Sequence, residues 1–164
     1  MEIYFFYFFA ALTVASALGV VWFRNPISSA ISLVVSFFGI AALYVLLQAH
    51  FLAIIQILVY AGAIMVLFIF VIMLLNLKGA ELEEHGFSNS KKAVSALVIS
   101  GILFVFYRIF SISGFTTSPV SDDFGTVKTV GKLLFTDYIF PFEYASILLL
   151  AALVGGVILA KREL

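Results

Sequence analysis

Apolar side chains run through this 164-residue chain in long, nearly uninterrupted blocks that short polar links separate. An α-helix needs about 20 such residues to cross the roughly 30 Å hydrocarbon core of a bilayer. Five blocks qualify, at about residues 3–23, 27–47, 51–77, 93–112 and 142–160. Because the blocks are continuously apolar rather than alternating, the pattern predicts an all-α integral membrane protein, a single membrane domain over 1–164 with five transmembrane helices.

The links between the first three blocks predict how these helices pack. Residues 24–26 separate the first block from the second, and residues 48–50 separate the second from the third. Links this short make successive helices antiparallel neighbours. At the start of the second helix, Asn25 is suited to the N-cap and Pro26 to the first turn, where its missing N–H costs nothing.

Two longer polar segments complete the chain. A charged loop covers 78–92, and a segment rich in Ser, Thr, Gly and Asp covers 113–141. Within the second segment, GTVKTVGKLLF at 125–135 is compatible with either a short hairpin or an interfacial helix.

The distribution of basic residues predicts the orientation in the membrane. With five spans, six basic residues fall on one side and three on the other: Arg24, Lys78, Lys91, Lys92, Lys161 and Arg162 against Arg108, Lys128 and Lys132. Since basic residues favour the cytoplasmic side, we expect the 78–92 loop and the C-terminus in the cytoplasm, with the N-terminus and the 113–141 loop outside.

Composition supports the membrane assignment and narrows the chemistry. The chain is 64% hydrophobic and 11% charged, with a mean hydropathy of +1.22. It has no cysteine, which excludes disulfides and thiolate metal sites, and its two histidines, His50 and His85, lie in links and form no ligand cluster. We therefore expect no haem, iron–sulfur centre or metal site in this chain.

No ionisable residue lies in the middle of a predicted span, which disfavours an autonomous ion carrier. Glu143 is predicted in the first turn of the fifth helix, where it is either a favourable charge at a helix N-terminus or part of a proton path. Glu81, after the third helix, is either a solvated charge or a contact with a partner.

The third block is unusual because polar and small residues interrupt its apolar centre. Gln56 and Tyr60 are four apart and share a face of an α-helix, and Ala61, Gly62 and Ala63 follow. In one interpretation these residues serve packing, with Gly62 making room for a neighbouring helix. In the other, Gly62 eases a departure from α geometry, so that the helix carries a π-bulge of the kind found at functional sites.

The sequence VYAGAIMVLFIFVIMLLNL at 59–77 closely resembles the third helix of subunit J of the proton-pumping NADH:quinone oxidoreductase, respiratory complex I, known in mitochondria as chain 6. The resemblance extends over nearly the whole chain. It includes Asn25-Pro26, the region of Glu81, and the GKLLF and PFEYASILLLAALVG motifs between 131 and 155.

This resemblance implies a membrane subunit without redox centre or catalytic site, in the plasma (inner) membrane of a bacterium. Quinone, FMN, iron–sulfur clusters and NADH would bind elsewhere in the complex. The implied partners are membrane lipid and the subunits corresponding to A, H, K and N, with quinone reached indirectly and no nucleic acid. The residues that match the family's switching region are Tyr60, Ala61, Gly62, Ala63 and, one turn further, Val66.

The family implies that this helix changes between π and α geometry, and so gates a proton path whose titrating groups belong to other subunits. Gln56, Glu81 and Glu143 are further candidates for that path or for an interface. The alternative is a purely structural or assembly subunit of the same complex, of a ferredoxin-fed quinone reductase or of a membrane-bound hydrogenase.

Overall fold

A computed structural model describes residues 1–75, 89–112 and 123–161 of the chain. The elements in chain order are α1 (Glu2–Trp22), α2 (Pro26–Leu46), α3 (His50–Ile55), the π segment (Gln56–Ile64), α4 (Met65–Leu74), α5 (Asn89–Ile112), α6 (Val127–Phe135) and α7 (Ile139–Ala160). Of these, α3, the π segment and α4 join end to end into one continuous helix, His50–Leu74, which we call the third helix.

Four helices of the described ranges are long and apolar enough to cross a membrane: α1, α2, the third helix and α7. They correspond to four of the five predicted spans. The fourth predicted span, 93–112, lies within α5, which begins earlier, at Asn89. Its apolar stretch Leu97–Ile109 is shorter than a full span, so a crossing by α5 stays a prediction.

The described residues form two units. Residues 1–75 together with 123–161 make one, and α5 makes up the described part of the other. In the first unit, α2 packs against both α1 and the third helix, as the short links predict. Asn25 caps α2 as expected, since its Oδ1 accepts a hydrogen bond from the Ile27 N–H at 3.0 Å, with Pro26 at the first helical position.

Small polar side chains line the contact between α1 and α2. The Ser32 hydroxyl donates to the Ser16 carbonyl and the Ser29 hydroxyl to the Val20 carbonyl, both at 2.8 Å. Gly19 brings the helices close at the same seam, because a Cβ there would lie 2.5 Å from Ser32 Oγ. Small residues and interhelical hydrogen bonds are the usual basis of helix association in lipid.

The segment predicted as a loop at 113–141 contains helical structure in its described part. Within the 125–135 sequence, residues 127–135 form α6 rather than a hairpin, with Thr126 as the N-cap. The last span begins at Ile139, three residues before the predicted start at 142, and continues through Pro141. Proline is tolerated there because the first turn of a helix needs no N–H donor.

Candidate functional site

The third helix begins at a tight corner that follows α2. Gln48 has a left-handed φ of 60°, and the Gln48 and Ala49 N–H groups donate to the carbonyls of Val45 and Tyr44 at 3.0 and 2.9 Å. This pair of bonds is the Schellman pattern that ends a helix. It reverses the chain within two residues, so the first turn of the third helix is held firmly against the end of α2.

A distant part of the chain completes this corner. The carbonyl of Gly125 accepts a hydrogen bond from the Phe51 N–H at 3.0 Å, which satisfies one of the unpaired donors at the start of α3. Gly125 is buried, has a left-handed φ of 69°, and lies so close to Gln48 and Ala49 that a Cβ would overlap their backbone atoms. We call this arrangement, formed by the 123–126 turn against the corner at 48–51, the Gly125 clamp.

Beyond α3 the backbone is π-helical for nine residues, from Gln56 to Ile64. At its end, the Met65 N–H donates to the Tyr60 carbonyl, five residues earlier, as well as to the Gly62 carbonyl. The sequence suggested a single-turn bulge as one of two interpretations; the structure contains a longer π segment centred on the same residues. A π-helix holds more residues per turn than an α-helix, so it changes which side chains share a face.

The spacing of the buried residues along the third helix reflects the π geometry. Ala53, Gln56, Ala61 and Met65 are buried, at spacings of three, five and four residues. The first and last intervals are those of an α-helix, whereas the interval of five follows the π hydrogen-bond period. The π segment therefore inserts one residue into the face that the third helix buries within its unit.

Tyr60 lies beside this buried face rather than on it. Its side chain is 46% exposed, whereas Gln56 is 8% exposed, so the two residues differ in environment although an α-helix would place them on one face. The π geometry is the reason, because it gives the position in line with Gln56 to Ala61. The Tyr60 ring still contacts α2 through an edge-to-face pair with Phe37, with ring centroids 5.8 Å apart.

Gly62 lies close to the backbone of the preceding π turn. A Cβ at this position would lie 3.2 Å from the Ile57 carbonyl oxygen, five residues earlier, a distance that forces neighbouring atoms to give way. Of the other two predicted switching residues, Ala63 and Val66 are both exposed on the third helix. The structure thus brings Ala61 and Gly62 against other protein atoms and leaves Ala63 and Val66 on an outward face.

The Gln56 side chain makes no hydrogen bond within the part of the chain that the structure describes, and its amide atoms keep some accessible surface although the residue as a whole is buried. It lies in the second turn of a membrane-spanning helix, where an unpaired amide costs on the order of 1 kcal/mol or more. Gln56 is therefore suited to a partner that comes from outside the chain, either water or another protein.

The two candidate carboxylates do not join this site in the described structure. Glu143 is the fifth residue of α7 and is exposed, so the expectation that it lies in the first turn was wrong, because α7 starts earlier than predicted. Its backbone carbonyl accepts a hydrogen bond from the Ser146 hydroxyl at 2.7 Å. Glu81 and most of the 78–92 loop lie outside the described residues.

Within the described ranges, no group of three or more His, Asp or Glu residues could hold a metal ion. The candidate site is therefore a segment of π geometry within an α-helix, beside the contact with α2.

Sequence reasoning missed three residues that define the geometry: Phe37, Met65 and Gly125. The contact of Phe37 and the burial of Met65 depend on the register that the π segment sets, which no local pattern in a single sequence reveals. Gly125 left a weaker signal, as a glycine just after Asp-Asp-Phe is typical of a turn, but its docking site lies far away along the chain.

Comparison with known proteins gives a consistent result. The model of the family NADH-ubiquinone/plastoquinone oxidoreductase chain 6 matches residues 16–159. NAD(P)H-quinone oxidoreductase chain 6 of Leptolyngbya boryana is 40% identical over 99% of this chain and 81% of its own length. NADH-quinone oxidoreductase subunit J of Escherichia coli strain K12 is 35% identical over 96% of this chain and 86% of its own length.

Proposed function

Since this chain belongs to the NADH-ubiquinone/plastoquinone oxidoreductase chain 6 family, we propose that it is a core membrane subunit of a proton-translocating NADH:quinone oxidoreductase. It carries no redox centre and is not catalytic alone. Its role is to help couple quinone reduction to proton translocation through a third helix that changes geometry. The observation that carries this proposal is the interval of five between Gln56 and Ala61 in an otherwise α-helical buried face.

The two geometries of the third helix place different side chains on the buried face. In the π form, Ala61 and Met65 are buried. If the segment became α-helical while α3 kept its place, Tyr60 and Ile64 would move to those positions, since α spacing is shorter by one residue. The exchange of a methyl group for a phenol ring beside α2 makes the two states sterically distinct.

The start of the third helix is held more firmly than its end. In a change between π and α geometry, α4 is therefore the part that turns. The corner with α2 and the Gly125 clamp fix α3, whereas Val66, Phe68 and Phe70 of α4 are each about half exposed or more. One residue corresponds to about 100° around an α-helix, so a change of one residue in register turns α4 by roughly that angle. In our proposal this rotation moves bulky groups into or out of a hydrated path.

The third helix needs no titrating group of its own for such a role, and residues 51–75 contain no charged side chain. The protons would travel on groups that belong to partners, here the subunits that correspond to A, H, K and N. The unpaired Gln56 carboxamide supports contact with a neighbour or with ordered water at this depth. Glu81 and Glu143 are proposed as interface or path residues nearer the membrane surfaces.

We also propose that the chain crosses the plasma membrane of a bacterium five times. The N-terminus then lies outside and the C-terminus in the cytoplasm. The Phe51–Gly125 hydrogen bond joins the start of the third helix to the turn before α6 and so supports a return crossing ahead of residue 123. The 24-residue α5, with its apolar stretch Leu97–Ile109, is the candidate for that crossing.

Replacement of Gly62 tests the coupling role. Gly62→Val adds a Cβ against the Ile57 carbonyl oxygen five residues earlier, a contact that opposes the π form. We expect quinone-coupled proton pumping by the assembled complex to fall severalfold, while NADH oxidation with artificial acceptors is unchanged. The matched control is Gly155→Val in α7, where a Cβ meets no atom within 4 Å. Normal pumping by a fully assembled Gly62→Val complex would refute the proposal.

A structural or assembly role, in this complex or in a related ferredoxin-fed reductase or membrane-bound hydrogenase, is the second candidate. It is favoured by α7, none of whose most apolar window is buried in the described structure, so its surface is free to bind other subunits. This role predicts that Gly62→Val lowers the amount of complex and leaves pumping per assembled complex unchanged.

A further inference from the structure

Helix α6 is anchored at both ends to membrane-spanning helices. At its start, the 123–126 turn docks on the corner between α2 and α3 through the Phe51–Gly125 hydrogen bond. At its end, the Phe135 ring contacts Phe142 near the start of α7, with centroids 5.1 Å apart. Nine residues rise only about 13 Å, so α6 cannot cross the bilayer and is held at the level where three spans reach the surface.

The two faces of α6 differ in polarity. Lys128 and Lys132, four apart, lie on one face, and both are exposed. Val130 and Leu134 lie on the opposite face and are half-buried. An amphipathic helix of this kind, held at the membrane surface, lies with its apolar side toward the acyl chains and its basic side toward the headgroups.

The positive charge on α6 has no ionic partner among the described residues. Asp123 and Asp137 lie just before and just after the helix, yet neither forms an ion pair with Lys128 or Lys132 in the described structure. Lys128 also lies in the first turn, where the helix dipole already favours negative charge. An anion supplied from outside the chain would therefore offset both lysines and the helix end together.

We propose that Lys128 and Lys132 bind the phosphodiester headgroup of an anionic phospholipid, so that α6 fixes a lipid at the junction of α2, the third helix and α7. Both ammonium groups are donors that match the phosphate oxygens, and the exposed Tyr138 and Phe140 beside α6 suit the interfacial layer of a bilayer.

Photo-crosslinking tests this surface in the whole complex. The complex is placed in nanodiscs that contain phosphatidylglycerol or phosphatidylcholine with a diazirine near the headgroup, and lipid adducts on the 126–138 peptide are measured by mass spectrometry. We expect the wild-type peptide to label preferentially with phosphatidylglycerol. In the double variant Lys128→Gln/Lys132→Gln that preference should fall roughly tenfold, because each lysine near a membrane surface favours anionic lipid severalfold.

Two variants serve as controls. Lys128→Arg/Lys132→Arg keeps the charge and should keep the preference, while Lys161→Gln, at the other end of α7, should leave labelling of α6 unchanged. Equal labelling by the two lipids in the wild type, or an unchanged preference in the double glutamine variant, would overturn the proposal. Absence of any lipid adduct on α6, with crosslinks to a neighbouring protein instead, would overturn it in favour of an acidic protein surface.

Discussion

The two halves of the third helix differ in how many constraints act on them. The half before the π segment, α3, follows a tight corner, is held by the Gly125 clamp and buries Ala53. In the half after the π segment, α4 buries Met65 and exposes most of its other side chains. The comparison teaches that the third helix has a firmly held start and a more exposed end, so in the proposed function a change of register at the π segment turns α4 rather than α3.

Removal of the Gly125 clamp should have the largest effect on the difference between the two halves of the third helix. Gly125→Val places a β-branched side chain at a left-handed φ and against the backbone of Gln48 and Ala49. We expect a loss of about 3 kcal/mol or more in the stability of the corner. Hydrogen exchange of the Phe51 amide should become faster, and less assembled complex should survive heating on native gels.

Gly131→Val in α6 is the matched control for the clamp, because a Cβ at Gly131 meets no atom within 4 Å. It should leave exchange at Phe51 at the wild-type rate. If Gly125→Val also left that rate unchanged, the clamp would not hold the first half of the third helix more firmly than the second.

A smaller effect is expected from a larger side chain at Ala61, the residue that the π geometry places on the buried face of the third helix. Ala61→Leu adds three carbon atoms at a position that is 8% exposed and should destabilise the π form by about 1–3 kcal/mol. The same change at Ala63, which is exposed, should have little effect on the protein. Hydrogen exchange of the amides at 56–65 measures the effect of each substitution. Equal effects at the two alanines would contradict a register that buries Ala61 and exposes Ala63.

The smallest effect should come from the Tyr60 hydroxyl. Tyr60→Phe keeps the ring that contacts Phe37, and no hydrogen bond of the hydroxyl is present in the described structure. We expect stability within about 0.5 kcal/mol of wild type. Tyr60→Leu removes the ring pair and should lose about 1 kcal/mol, an effect that should disappear in a Phe37→Leu background. A large loss of pumping in Tyr60→Phe alone would show that the hydroxyl acts on the path directly.

Much of the helical framework could be predicted from local signals in the sequence. The long apolar blocks predict four of the spans that the structure describes, and Asn25 with Pro26 predicts the start of α2. These signals suffice because membrane helices satisfy their own backbone hydrogen bonds, so length and polarity largely determine where they lie.

The candidate site was predictable in position but not in register. The stretch from Gln56 to Gly62 stands out because polar and small residues occur in the middle of an apolar helix. The choice between π and α geometry depends on a balance between the helix's own hydrogen bonds and its packing on α2, which involves residues far apart in sequence. For this reason Ala61, rather than Tyr60, continues the buried face beyond Gln56.

The Phe51–Gly125 hydrogen bond has a consequence for the order in which the protein is made. The Phe51 N–H emerges from the ribosome long before its acceptor, and at about 5–20 residues per second the delay lasts several seconds. The third helix must therefore enter the membrane before the turn that fixes its end exists. A newly made chain passes through a stage in which this helix is free to turn, and synthesis of the 123–126 turn brings that stage to a close.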